Sequence, residues 1–211
     1  MAEIDRLGEA TGWIDLSFVE RERTPEPIIE VGIHLHVAGL SLSNTKQVLE
    51  RFGVERSRPA IQNWVKKSNL QPASEATPDQ IAVDETVIQV GDERHWLYAA
   101  VNPATNELLH VRLFHTRTTQ LTMVFLRELG DGYDLDDVAF LVDDAQHLKT
   151  ALDRLGHRFQ VVRHGNRNAV ERVFREVKRR TSSFSNCFSH VEPATAETWL
   201  QALALWHNST N

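Results

Sequence analysis

The order of the apolar runs along the chain constrains its fold more than any other feature. Ile81–Val90 (IAVDETVIQV), His95–Val101 (HWLYAAV) and Glu107–Phe114 (ELLHVRLF) are rich in β-branched and aromatic residues. The turn sequences Gly91-Asp92 and Asn102-Pro103 with Thr105-Asn106 separate them, so three antiparallel strands in a meander are predicted. The pattern then changes. Thr118–Leu129 has helical periodicity, with Leu121, Val124, Phe125 and Leu129 on its inner side. Asp137–Asp143 (DVAFLVD) is a short continuous apolar run, as in a strand buried on both faces. Ala145–Leu155 reads as a helix, Arg158–Arg163 (RFQVVR) as a fifth strand, and Thr195–His207 as a last helix. Between these last two lies an amphipathic helix beginning near Asn166 or Asn168. The order β-β-β-α-β-α-β-α-α predicts an α/β domain over residues 80–211: a mixed five-stranded sheet flanked by helices.

The first third of the chain has a different texture. Residues 1–25 read as an arm whose Trp13, Leu16, Phe18 and Val19 can pack on the body. Residues 26–70 hold three short helices. Ile28–Gly39 is apolar enough to be buried and Gly39 can close it; Ser43 or Asn44 can cap the second helix and Gly53 stop it. Ser57-Arg58-Pro59 starts the third, with Ile61, Trp64 and Val65 on its apolar side. Three helices with a glycine turn between the last two describe an all-α helix-turn-helix domain. Its last helix would enter a major groove, Arg56, Arg58, Lys66 and Lys67 meeting phosphates and Gln62 and Asn63 meeting base edges. A dimerisation unit or a helical cap is the alternative for such a module. Residues 71–79 (QPASEATPD) read as the linker.

Composition narrows the function. No apolar run is long enough for a membrane span, and the N-terminus lacks the basic and apolar regions of a secretory signal, so a cytoplasmic location is expected. A single cysteine, Cys187, excludes an internal disulfide framework and a multi-cysteine zinc site. The ten histidines show no metal-ligand spacing, and His34 and His36 read as helix surface. Trp96, Trp199 and Trp206 are expected in the core. A formal charge of −6 argues weakly against nucleic acid, but charge is segregated. Lys149–Arg180 carries ten Lys or Arg against three Asp or Glu, whereas Glu128–Asp144 carries seven acids and no Lys or Arg. Local field governs binding more than the total does.

Three acids stand out. Asp84 interrupts the first strand run, and Asp143 closes the fourth; Asp144 is its rival. Either charge costs several kcal/mol if buried without a partner. An outward strand residue and an ordinary helix cap are the plain alternatives. Glu85 alternates to the other side of its strand and is discounted as a ligand. Glu171 lies on the amphipathic helix, in a stripe with Arg167, Arg175 and Lys178, beside the apolar face made by Val170, Val173, Phe174 and Val177. A solvated outer helix would also read this way.

The element order is the layout of ribonuclease H-like domains, in which the first and fourth strands are neighbours. Asp84 and Asp143 would then face one another, with Glu171 brought alongside by the helix after strand five. Three carboxylates at one locus repel unless divalent cations lie between them, and oxygen ligands suit Mg²⁺ or Mn²⁺. Two such ions can activate an attacking oxygen and stabilise a leaving one.

With VDET (Val83–Thr86), VDDA (Val142–Ala145) and the glutamate helix, the chain resembles the DDE transposases of bacterial and archaeal insertion sequences, within the retroviral-integrase-like superfamily. The likeness runs from about Ile28 to the C-terminus. Many of these enzymes carry Tyr, Arg, Glu and a base at spacings matched here by His164, Arg167, Glu171 and Lys178. His replaces Tyr, and Asp144 stands where relatives usually have Gly. The resemblance implies a metal-dependent DNA transposase with Asp84, Asp143 and Glu171 as catalytic metal ligands. Water would attack a phosphodiester at the element's end, and the freed 3′-hydroxyl would attack target DNA. It also implies Arg167, Arg175 and Lys178 on the DNA strand, and a homodimer or larger assembly on paired ends. An inactive transposase-like DNA-binding regulator is the alternative, and a structure-selective nuclease on the same fold is a third.

Overall fold

The structure, a computed structural model, describes residues 14, 16–19, 23–68, 78–162, 168–183, 188 and 191–210. A 3₁₀ turn at Ser17–Val19 precedes three helices: α1 (Glu26–Val37), α2 (Leu42–Arg51) and α3 (Arg58–Lys67). Strands β1 (Gln80–Val90), β2 (Glu93–Val101) and β3 (Leu108–Phe114) follow. The chain continues through α4 (Thr119–Gly132), β4 (Ala139–Val142), α5 (Gln146–Leu155), β5 (Arg158–Val161), α6 (Asn168–Ser183) and α7 (Pro193–Thr210). Among the described residues, no helix is long and apolar enough to cross a membrane.

The five strands form one sheet in the order β3-β2-β1-β4-β5. The meander β1–β2–β3 is antiparallel, and β4 and β5 add to it in parallel. This is the mixed sheet expected from the sequence. Strand periodicity assigns the two faces. Ile81, Val83, Tyr98 and Ala100 point to the layer of α4 and α5, where Phe125, Leu129, Leu148 and Leu152 meet them. Ala82, Ile88, Leu97 and Ala99 point the other way, to α6 and α7 and their Val170, Val173, Phe174 and Leu203.

Local chemistry sets the element ends. The Thr118 hydroxyl accepts the Leu121 amide and caps α4, and Ser57 does the same for α3 through Ala60, with Pro59 in the first turn. The cap of α2 is Ser41, not Ser43 or Asn44; its hydroxyl accepts the Asn44 amide. Strand β4 is shorter than the run DVAFLVD. The Asp134 carboxylate takes the Asp136 amide and the Leu135 carbonyl takes the Val138 amide, so a turn occupies the first residues. Gly156 adopts the left-handed conformation (φ 75°) that ends α5 before β5.

The three N-terminal helices do not stand apart from the sheet domain. Ile28, Ile29, Ile33, Leu49 and Trp64 share one apolar cluster with α6 and α7, joined by Ile14 and Val19 of the N-terminal arm. Gly32 packs directly against the Trp64 ring. A β-carbon there would come within 3.0 Å of the Trp64 ring. His34 and His36 are accordingly half-buried rather than helix surface. The Trp206 indole N–H donates to His34 Nε2 at 3.4 Å, and His36 Nδ1 meets the Leu40 carbonyl at 2.8 Å. Burial lowers the pKa of both, opposed by the charge of Glu30 at His34 and by the backbone bond at His36. Trp199 lies in the core as expected, whereas Trp96 is half-buried beneath the Arg117 guanidinium. Trp13 and Cys187 lie outside the described residues.

Candidate active site

The site is built on the α6 face of the sheet. β1 and β4 run parallel with Gln80, Ile81 and Ala82 opposite Ala139, Phe140 and Leu141. Continued two residues past its last pair, that register leads to Asp84 on β1 and to Asp143, which follows the last residue of β4. Neighbouring strands lie about 4.8 Å apart, so the two acids start from adjacent backbone positions. They also share a face, since Ala82 and Leu141, each two residues earlier, belong to the α6–α7 core.

Each aspartate is half-buried and held by a backbone amide. Asp84 Oδ1 accepts the Glu85 N–H at 2.9 Å, and Asp143 Oδ1 accepts the Ala145 N–H at 2.8 Å. The bond at Asp143 forms just before α5, where Ala145 has no side chain to cap the helix. Asp144 differs. Its side chain is 70% exposed and pairs with Lys149 Nζ at 2.6 Å.

Glu171 stands exposed in the first turn of α6. It is next to Val170, which is fully buried against the sheet. α6 lies over β1 and β2 on the same face as the two aspartates. Its position is tied at the β2–β3 turn, where the Arg172 guanidinium donates to Asn106 Oδ1 at 3.2–3.3 Å. Asn106 itself adopts a left-handed conformation, φ 65°. Arg175 and Lys178 are exposed along the flank that carries Glu171. His164 and Arg167 lie outside the described residues.

The residues singled out on the third helix divide. Arg58, Gln62 and Lys66, at steps of four, line a cleft of about 450 Å³ with Ser41 and Ser43 of the α2 start and Thr195, Thr198 and Trp199 of α7. Arg58 and Lys66 are exposed, and Gln62 is half-buried. Asn63 and Lys67 are exposed outside that cleft. Arg56 instead donates to the Thr24 hydroxyl at 2.6 Å and to the Glu55 carbonyl at 2.7 Å.

Sequence reasoning missed two groupings. Glu85 does turn away from Asp84, but it is a buried hub: its side chain is 3% exposed, with Arg117 and His147 each 3.1 Å from Oε1. The second is Glu93, His95 and His115, whose ligand atoms all lie within 4.8 Å of one another. The ten histidines show no metal-ligand spacing along the sequence, and this grouping forms only through the pairing of β2 with β3. The alternation Glu93-x-His95 on one strand was its one local sign.

An antiparallel meander extended by two parallel strands, in the order β3-β2-β1-β4-β5 with helices on both faces, is a ribonuclease H-like fold. The chain belongs to the DDE transposase family: residues 79–208, more than half its length, match the DDE domain of the IS240 type. It is thus an enzyme of the metal-dependent polynucleotidyl transferase class. An uncharacterized protein of Methanocaldococcus jannaschii is 28% identical over 193 residues, covering 90% of this chain and 89% of the relative. Among solved structures, the HTLV-2 integrase catalytic core domain in complex with magnesium matches 62% of this chain and 86% of its own, with TM-score 0.45 and 14% identity. A simian T-cell lymphotropic virus intasome in complex with PP2A regulatory subunit B56 gamma matches 83% of this chain and 67% of its own, with TM-score 0.46 and 15% identity.

Proposed function

We propose that the protein binds the ends of an insertion sequence and catalyses phosphodiester cleavage and strand transfer there, with Asp84, Asp143 and Glu171 holding two divalent cations. The observation that supports this reading is the β1–β4 register, which, continued two residues beyond Ala82 and Leu141, leads to two half-buried aspartates on the face that α6 covers. The donor set fits Mg²⁺ or Mn²⁺: every candidate ligand atom is a hard carboxylate oxygen. When bound, such ions supply a water-derived nucleophile and charge neutralisation at the leaving oxygen.

The chain's own residues do the rest. The backbone amides of Glu85 and Ala145 fix one oxygen of each aspartate, so the carboxylates are oriented before substrate arrives. Arg175 and Lys178, beside Glu171, meet the phosphates of the strand being cut, and Arg167 belongs to the same stripe in sequence. Arg58, Lys66 and Lys67 meet phosphates flanking the element's end, while Gln62 and Asn63 read its bases. Two or more copies act together on paired ends.

The test is Mg²⁺-dependent nicking of an oligonucleotide carrying the element's end. Asp84→Ala and Asp143→Ala are each expected to abolish nicking while leaving binding of the oligonucleotide in place. Unchanged nicking by Asp84→Ala would overturn the assignment. Footprinting over the terminal repeats tests the helix-turn-helix separately: Gln62→Ala should relax sequence preference, and Lys67→Ala should weaken binding to all sequences alike.

A further inference from the structure

A second grouping of ligand-type side chains lies at the other end of the meander. Glu93 and His95 sit at the start of β2, and His115 follows the last residue of β3. The β2–β3 register pairs Trp96 with Phe114 and Leu97 with Leu113. One step further, it sets His95 opposite His115. Strand alternation places Glu93 on the same side as His95. The two imidazole rings stand 4.4 Å apart, and His115 Nδ1 is 3.6 Å from Glu93 Oε2.

His95 is the unusual member. It is 1% exposed, yet neither ring nitrogen has a hydrogen-bond partner among the described residues. A buried imidazole left without a partner loses the hydrogen bonds it made with water, a cost that a bound ligand would offset. The nearest groups able to share a ligand with it are Glu93 and His115, both about 70% exposed and able to adjust. Tetrahedral zinc with bonds near 2.0–2.1 Å requires ligand atoms about 3.3 Å apart. The Glu93–His115 separation is already close to that.

We propose that Glu93, His95 and His115 form a site for a transition-metal ion of the Zn²⁺ type. Two imidazoles and one carboxylate leave a fourth position for water. Nitrogen donors select such an ion over Mg²⁺, so the site is chemically distinct from the all-oxygen set at Asp84 and Asp143. It is spatially distinct as well. Asp84 pairs with Ala99, four residues along β2 from His95, a distance of about 13 Å at strand rise. A bound ion would strap the end of edge strand β3 to the start of β2. This assignment is independent of the transposase reading.

The experiment is calorimetric titration of the full chain with Zn²⁺ in millimolar Mg²⁺, backed by metal analysis after dialysis. One Zn²⁺ per chain is expected in the wild type and equally in Asp84→Asn. His115→Ala should weaken binding by about 100-fold or more. Glu93→Gln should weaken it less, since a neutral oxygen remains. Both positions are exposed, so circular dichroism should show the variants folded, and loss of binding then reports the ligand rather than the fold. Co²⁺ should give a tetrahedral absorption band that His115→Ala removes. Absence of stoichiometric Zn²⁺ binding by the wild type overturns the proposal, as does binding that survives the double variant Glu93→Ala/His115→Ala.

Discussion

Asp84 and Glu85 are neighbours on one strand, yet they live on opposite faces of the sheet and do opposite work. Glu85 points into the α4–α5 layer. Its carboxylate accepts a hydrogen bond from Arg117, and His147 of α5 closes on the same oxygen. Arg117 in turn stacks on Trp96 at 4.3 Å. Tyr98, the register partner of Glu85, has its hydroxyl pKa raised to about 12, chiefly by burial and further by the Glu85 charge. Asp84 points to the α6 layer, where the Glu85 backbone amide holds its Oδ1. A buried charge persists only where opposite charge or hydrogen bonds meet it. Glu85 is met by Arg117 and His147 of its own chain and locks helix to sheet. The pair Asp84 and Asp143 stands at a half-open face, where an added cation can be shared. Period-two alternation thus separates a structural carboxylate from a proposed catalytic one across a single peptide bond.

The largest expected effect tests that division directly. Asp84→Asn should lower metal-dependent cleavage about 1,000-fold or more, equivalent to roughly 4 kcal/mol of barrier. Its thermal midpoint should stay near the wild-type value. Glu85→Ala should do the reverse, lowering unfolding free energy in urea by about 2–3 kcal/mol, because Arg117 and His147 lose their shared partner. Below its unfolding transition it should still cleave. Loss of cleavage by a fully folded Glu85→Ala would break the comparison.

Smaller changes sharpen it. Arg117→Ala should cost about 1 kcal/mol, since the guanidinium is half exposed and its ion pair is screened. Arg172→Ala should cost about 0.5 kcal/mol in stability while reducing cleavage several-fold, because it frees the α6 anchor at Asn106.

The smallest effect is with pH. His110, packed on Phe125 and bonded to Glu128, has its pKa lowered by burial against the opposing pull of that carboxylate. Burial also lowers His34, His36 and His157. The unfolded chain takes up these protons near pH 6.5, whereas the folded chain resists. Stability should therefore be unaffected by these groups above pH 6.5 and fall as the pH drops below it. Urea titrations at pH 7.5 and 5.5 measure the difference, and His110→Gln should flatten part of it.

Much of the fold was legible because local signals agreed. The β-branched runs, the apolar stretch in β4, the Ser57 and Thr118 caps and the glycine ending α5 all point to the elements observed. The shared side of Asp84 and the residues two places away follows from alternation alone. Other features depend on distant partners. Alternation turns Glu85 away from Asp84, but its burial depends on Arg117 and His147, 32 and 62 positions on, which close over it. His34 looks like helix surface until Trp206 arrives from the far end of the chain. Ser43 and Asn44 are as good caps by residue type as Ser41, and the local sequence does not choose among such neighbours. The pairing of His95 with His115 is a matter of register, which turn geometry sets and composition does not display.

The last helix also settles something about β3, the outermost strand of the meander. The Asn208 side chain takes both backbone groups of Leu108, its amide donating to the carbonyl and its oxygen accepting the N–H. Further along, Glu197 accepts the Leu113 N–H while holding Arg112. Side chains here stand in for a sixth strand. At these two residues the rim is occupied from within the chain, so the backbone groups of Leu108 and Leu113 are not open to pairing with another strand.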